Sequence, residues 1–226
     1  MSVLVKICGL SAPETLDAAL EAGADMVGFV FFAPSPRNVT GERARALAAR
    51  VRGRALKVAL SVDADDELLA ASIEALDPDL LQLHGKEPPE RVAAIRATFK
   101  RPVMKAIAVE TKADLAAIDR YATAADRLIF DARAPRAATR PGGLGRPFDW
   151  HLLENLDVSL PFMLSGGLDA GNVAEALAIT RAQGVDVSSG VERAPGEKDP
   201  DKIRAFVRAA RTAAAGREPN KIASSA

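Results

Sequence analysis

Ser2-Val3-Leu4-Val5-Lys6-Ile7-Cys8-Gly9 is a short, mostly aliphatic run that ends on the only cysteine of the chain and turns at a glycine. Read as a strand, it places Val5 and Ile7 on one face and Lys6 and Cys8 on the other. An aliphatic face packs against helices. A face with an ammonium and a thiol near its carboxyl end looks into a space that has uses for polar groups. Directly after it, Ser11-Ala12-Pro13-Glu14 offers a capping hydroxyl, a proline for the first helical turn and an acid near it, so a helix is expected from Pro13.

The same unit repeats along the chain. Strand candidates are Val3 to Ile7, Met26 to Phe31, Leu56 to Val62, Leu80 to Leu83, Val103 to Ala108, Arg127 to Phe130, Phe162 to Leu164 and Val185 to Val187. Helix candidates between and after them are Pro13 to Ala22, Gly41 to Arg50, Asp65 to Leu76, Pro89 to Phe99, Lys112 to Ala122, Asn172 to Arg181 and Asp201 to Ala214, with Asp169 or Gly171 to open the helix through Asn172. Eight strand-helix units call for crossover helices that cover one sheet face, which predicts an α/β fold: a closed (β/α)8 barrel of eight parallel strands with outer helices. A doubly wound open sheet is the alternative.

With 226 residues, 48% of them hydrophobic, the chain suffices for one well-buried domain and is short for two. We expect a single barrel over residues 1–215 and a flexible tail over 216–226. Thirty basic and thirty acidic residues cancel, so no broad field favours nucleic acid or an anionic membrane surface. No apolar run approaches the roughly 20 residues that span a bilayer, and the start lacks a secretion signal. A cytoplasmic protein acting on a small molecule is expected. One cysteine cannot form an internal disulfide, and with two histidines, His84 and His151, a zinc site would have to rest mainly on carboxylates. No structural metal is expected. The helix faces carry no large apolar patch, and the expected assembly is a monomer or homodimer.

Strand parity extends the polar interior to other units. Gln82 and His84 oppose Leu81 and Leu83, Asp131 lies apart from Phe130, and Asp186 and Ser188 lie apart from Val185 and Val187. Each buried polar group without a partner costs about 1–3 kcal/mol, so polar side chains gathered at strand ends suggest a site, in the position where barrel enzymes carry theirs. Cys8 and Asp131 then form a thiol and carboxyl pair suited to proton transfer. After the last two strands come Ser165-Gly166-Gly167-Leu168 and Ser188-Ser189-Gly190-Val191-Glu192. Glycine lets backbone N–H groups approach an anion, and barrels commonly hold phosphate at these two loops. Gly166, Gly167, Ser189 and Gly190 are the candidates. The long segment Ala132 to Pro147, with Pro141-Gly142-Gly143-Leu144-Gly145, has the length of an active-site lid.

Taken together, Lys6-Ile7-Cys8-Gly9-Leu10, Gly28-Phe29-Val30-Phe31, Ser35-Pro36-Arg37-Asn38-Val39, Gln82-Leu83-His84-Gly85, Gly142-Gly143-Leu144-Gly145 with Phe148-Asp149-Trp150, Ser165-Gly166-Gly167-Leu168 and Asp186 to Glu192 closely resemble the motifs of the phosphoribosylanthranilate isomerase family, in order and nearly end to end. The resemblance implies an Amadori rearrangement in tryptophan biosynthesis, in which N-(5-phosphoribosyl)anthranilate becomes 1-(2-carboxyphenylamino)-1-deoxyribulose 5-phosphate without a cofactor. By that resemblance Asp131 is the acid that protonates the ribose ring oxygen, and Cys8, as thiolate, is the base that takes the C2′ proton. Lys6 could favour the thiolate from roughly 6.6 Å along the strand, unless Asp186 neutralises it across the seam of the barrel.

The planar guanidinium of Arg37 suits bidentate capture of the anthranilate carboxylate. His84 reads either as a wall of the substrate site or as a satisfied interior histidine, and Asp186 either as a substrate contact or as the partner of Lys6. His151 and Trp150, on an expected helix, read as structural. Two positions depart from the family pattern: Leu144 stands where threonine is usual and Ser165 where alanine is usual. The related histidine-pathway isomerases use an aspartate where this chain has Cys8, and indole-glycerol-phosphate synthase relies on lysine and glutamate at other positions. A catalytically idle phosphate-binding barrel is the non-enzyme alternative.

Overall fold

The computed structural model describes residues 3–135, 138, 141–142 and 147–216. Leu144, most of the glycine-rich segment around it and residues 217–226 of the expected tail lie outside the described residues. Eight parallel strands close into a barrel in sequence order: β1 (Leu4–Cys8), β2 (Met26–Phe31), β3 (Leu56–Ser61), β4 (Leu80–Leu83), β5 (Val103–Val109), β6 (Arg127–Ala132), β7 (Phe162–Leu164) and β8 (Gly184–Val187), with β8 pairing back onto β1. The closed (β/α)8 barrel is therefore the observed architecture, and the open sheet is excluded.

Among the described residues seven α-helices accompany the strands: α1 (Pro13–Glu21), α2 (Gly41–Val51), α3 (Asp66–Leu76), α4 (Pro89–Phe99), α5 (Ala117–Tyr121), α6 (Val173–Thr180) and α7 (Pro200–Ala215). Their starts follow local chemistry. Thr40 caps α2 by accepting from the Arg43 N–H, and Asp65 caps α3 by accepting from the Leu68 N–H at 2.8 Å, each worth about 1 kcal/mol. At α1 the expectation fails: Ala12 is the cap residue and makes no side-chain cap bond, so Pro13 alone pre-sets the first turn. The side chains Ile203, Phe206, Val207, Ala210 and Ala214 form the buried stripe of α7, the spacing of one helix face.

Three elements differ from the sequence reading. The stretch Lys112–Ala122 divides into a 3-10 turn, Lys112–Ala116, and the single turn of α5, because the Asp114 carboxylate bonds the Thr111 and Glu110 N–H groups and tightens the start. Trp150 and His151 sit on a short 3-10 turn, Trp150–Leu153. Between β8 and α7 a small antiparallel hairpin, β9 (Glu192–Ala194) and β10 (Glu197–Lys198), turns at Pro195-Gly196.

Two distinct layers fill the barrel. Toward the amino ends of the strands, Met26, Val58, Leu80, Met104, Ile129 and Met163 make an apolar plug. Two residues further along, the same inward faces present Lys6, Gln82, Asp131, Ser165 and Asp186, all buried. The outer faces, among them Val5, Ile7, Leu81, Leu83, Phe130 and Val185, belong to the main core beneath the helices.

Candidate active site

The carboxyl ends of the strands surround one cleft whose walls include Cys8, Arg37, His84, Asp131, Ser165, Gly166, Gly167, Asp186 and Ser189. Cys8 ends β1 and is buried. The register pairs Lys6 of β1 with Asp186 of β8 directly, and the two form an ion pair at 2.8 Å with Lys6 wholly buried. The Ser165 hydroxyl donates to the other oxygen of Asp186 at 3.2 Å. Asp186 therefore neutralises Lys6 while still bordering the cleft. For the thiol this matters: burial pushes Cys8 above its ordinary value, Lys6 opposes that, and Asp186 adds to it. The raised value favours the thiol, so the expected thiolate calls for a further cation. On Lys6, burial works downward, but Asp186 and Cys8 prevail and raise it.

Asp131, on β6, accepts a hydrogen bond from the Ala132 N–H at 2.9 Å through one oxygen. Its other oxygen lies 3.0 Å from His84 Nε2, and His84 Nδ1 lies 3.0 Å from Gln82 Nε2. These bonds form a chain of three side chains. With the amide nitrogen on Nδ1, the imidazole donates to Asp131 as a carboxylate. Turning the amide by half a turn lets a protonated Asp131 donate to Nε2 and Nδ1 donate to the Gln82 carbonyl, an oxygen that is otherwise buried without a partner. Gly142 covers this chain so closely that a Cβ there would lie 2.6 Å from Asp131 Oδ2 and 2.8 Å from His84 Nε2.

Outside the barrel wall, Lys105 fixes the turn that carries His84. Its ammonium donates to the Gly85 carbonyl at 2.8 Å and pairs with Glu87 at 3.0 Å, and Glu87 also takes the Gly85 and Asp63 N–H groups. Sequence reasoning missed this cluster; a lysine within an otherwise aliphatic strand was the available signal.

Beyond β7, Gly166 and Gly167 both hold positive φ, 88° and 67°, which favours glycine. Both border the cleft beside Ser188 and Ser189. Gly190 has another use: any side chain there would collide with the Leu168 carbonyl, so it lets the two turns close on each other and is not itself among the cleft walls.

Arg37 reaches the cleft from the loop after β2. Its Nε and Nη2 each donate to a Glu192 oxygen at 2.7 Å, so the edge expected to grip a carboxylate bidentately is held by the protein. Lys198 Nζ joins the same Glu192 at 2.7 Å and donates to the Ser188 carbonyl at 2.8 Å. Neither Glu192 nor Lys198 was singled out from sequence as a functional residue. His151 is exposed beside Glu154, and Trp150 packs at the edge of the core. Among the described residues no group of three His, Cys, Asp or Glu side chains converges to hold a metal ion, and no helix is long and apolar enough to cross a membrane.

A barrel that gathers an acid, a thiol and glycine turns at the carboxyl ends of its strands has the layout of a (β/α)8-barrel enzyme. Residues 5–209 match the family model described as N-(5'phosphoribosyl)anthranilate (PRA) isomerase. The N-(5'-phosphoribosyl)anthranilate isomerase of Nitrobacter winogradskyi is 68% identical over 213 residues, 94% of this chain and 95% of that protein, and that of Bradyrhizobium diazoefficiens is 67% identical over 211 residues, 93% and 95%. The crystal structure of phosphoribosyl anthranilate isomerase from Thermotoga maritima superposes with a TM-score of 0.84 at 34% identity, over 93% of this chain and 99% of that one. A crystal structure of a phosphoribosyl anthranilate isomerase in complex with reduced 1-(o-carboxyphenylamino)-1-deoxyribulose 5-phosphate gives a TM-score of 0.78 at 31% identity with the same coverage. The chain belongs to the N-(5'-phosphoribosyl)anthranilate isomerase family.

Proposed function

We propose that this barrel rearranges N-(5'-phosphoribosyl)anthranilate to 1-(2-carboxyphenylamino)-1-deoxyribulose 5-phosphate, with Asp131 as acid and Cys8 as base. The observation that carries the assignment is that both side chains border one cleft whose far wall is built from the glycine turns after β7 and β8. Asp131, protonated and donating toward His84 in the second orientation of the amide chain, passes its proton to the ribose ring oxygen as the C1′–O bond breaks. The product is a protonated Schiff base. Its positive charge arises beside the Cys8 sulfur and supplies the cation that Lys6, spent on Asp186, does not. The Cys8 thiol releases its proton to solvent, and the thiolate takes the C2′ proton, so an enolamine forms. The re-formed Cys8 thiol then protonates C1′ while the Asp131 carboxylate takes the 2′-hydroxyl proton, which gives the ketone and restores the carboxyl; the thiolate regains its proton from solvent. General acid–base steps of this kind contribute about 10²- to 10⁴-fold each.

Gly166, Gly167 and Ser189 hold the phosphate through backbone N–H groups, Gly190 permits their approach, and Arg37 meets the anthranilate carboxylate. His84 orients Asp131, and Asp186 keeps Lys6 from acting alone. The chemistry calls for no cofactor. We assign residues 1–215 to one barrel domain in the cytoplasm, working as a monomer or homodimer; the Thermotoga maritima relative has been solved as monomers generated from a dimeric enzyme. Incubating the purified protein with N-(5'-phosphoribosyl)anthranilate tests the proposal: conversion to the ketose supports it, whereas binding of the reduced product analogue without turnover identifies a sensor. Sizing chromatography reads the assembly.

A further inference from the structure

Arg37 is immobilised by residues that do not themselves reach the cleft. Its fork is occupied by Glu192, and below it Gly9, at φ 78°, leaves the space its aliphatic stem fills. Glu192 begins the hairpin after β8 and shares one oxygen with Lys198 from the second strand of that hairpin. Lys198 continues to the Ser188 carbonyl and hydroxyl at 2.8 and 3.0 Å. Lys202 pins the Glu192 carbonyl at 2.7 Å. Arg37, Glu192 and Lys198 are all buried. Arg37, Ser188 and Ser189 border the cleft; Glu192 and Lys198 do not.

We propose that Glu192 and Lys198 are positioning residues that hold Arg37 for the substrate carboxylate and tie it, through Ser188, to the turn that holds the phosphate, so that both anionic ends of the substrate meet one rigid unit. This rests on the reading of Arg37 as the carboxylate group's partner. A carboxylate between two cations suits the task, because charge-assisted bonds fix a planar fork in one orientation. A lysine in this place also senses pH. Burial draws Lys198 down to about 8, Glu192 resists, Arg37 adds to the fall and Cys8 opposes it. On Glu192 burial works upward, but Arg37 and Lys198 outweigh it and hold the carboxyl below its usual range. As pH rises past about 8, Lys198 loses its charge and with it the stronger part of its hold on Glu192.

The test is a set of four proteins, wild type, Arg37→Ala, Glu192→Gln and the double variant, each measured for KM, kcat and the Kd of the reduced product analogue. Glu192→Gln is expected to raise KM and Kd by about tenfold or more with kcat within threefold, on the scale of other losses in a supporting shell. In the Arg37→Ala background the same change should add less than twofold, because there is no guanidinium left to position. Equal, multiplying effects in both backgrounds, or a Glu192→Gln Kd within twofold of wild type, would overturn the inference. If Arg37→Ala alone leaves Kd unchanged, the reading of Arg37 has failed, and that result is separate from the other two. Should Glu192→Gln fail to fold, the pH dependence of analogue binding in the Cys8→Ala background decides instead, since the thiol is then removed. A Kd that weakens as pH rises past about 8, and does so less in Lys198→Met, supports the proposal; a flat profile sinks it.

Discussion

The two layers inside the barrel come from the same strands, two residues apart, and do opposite work. The lower layer, Met26, Val58, Leu80, Met104, Ile129 and Met163, is apolar on six strands. On four of those six strands, the next inward position is Gly28, Gln82, Asp131 or Ser165. On β1 and β8 the corresponding residues are Lys6 and Asp186. The plug excludes water beneath the polar layer, and that exclusion both raises the Cys8 thiol and makes every pairing above it strong. Stability and chemistry are thus stacked along the barrel axis, and the upper layer has to satisfy its polar groups internally. It does so through Lys6 with Asp186, Ser165 with Asp186, and the Gln82 nitrogen with His84 and Asp131, and leaves only the Gln82 oxygen unpaired among these groups.

The contrast can be broken most forcefully at its upper end. Asp131→Asn should lower kcat by about 10²- to 10⁴-fold and leave the thermal midpoint nearly unchanged, as read by steady-state kinetics beside a melt. A variant that keeps its rate would show that the acid lies elsewhere. Lys6→Met probes whether the upper layer is structural as well. Removing one member of a buried pair leaves Asp186 uncompensated and should cost about 3–5 kcal/mol in urea unfolding. The double change Lys6→Met with Asp186→Leu should recover most of that stability; if it does not, the pair does more than neutralise itself.

At the lower layer the signs reverse. Met104→Ala should cost about 2–5 kcal/mol through the cavity it opens, with kcat unchanged for the folded fraction. A fall in kcat that matches the fall in stability would mean the layers are not separable. The smallest effect is expected outside the barrel, where Leu68 is 41% exposed: Leu68→Ser should stay within about 0.5 kcal/mol by the same unfolding assay.

Much of this organisation could be read from the chain. Periodicity placed all eight strands within one or two residues of where they lie, since each is bounded by turn residues and has an aliphatic outer face. The seam pair Lys6 and Asp186, 180 residues apart, was foreseeable as an alternative only because closing a barrel makes β1 and β8 neighbours. The fork between Arg37 and Glu192, 155 residues apart, has no such topological cue, as it joins two loops whose approach depends on side-chain packing. Arg193-Ala194-Pro195-Gly196-Glu197 carried a turn signal, but strands of two and three residues with charged side chains give too little alternation to announce a hairpin. The state of Cys8 was hidden for a different reason: residue spacing indicates a nearby ammonium, while the balance of burial against charge depends on the whole surround.

The central claim is that a thiol on β1 and a carboxyl on β6 act on one sugar. Its most direct test is the turnover of N-(5'-phosphoribosyl)anthranilate by Cys8→Ala, with binding of the reduced product analogue measured on the same preparation. The account predicts a loss of turnover of about 10²- to 10⁴-fold with analogue affinity within a few fold of wild type. Turnover within tenfold of wild type would contradict it.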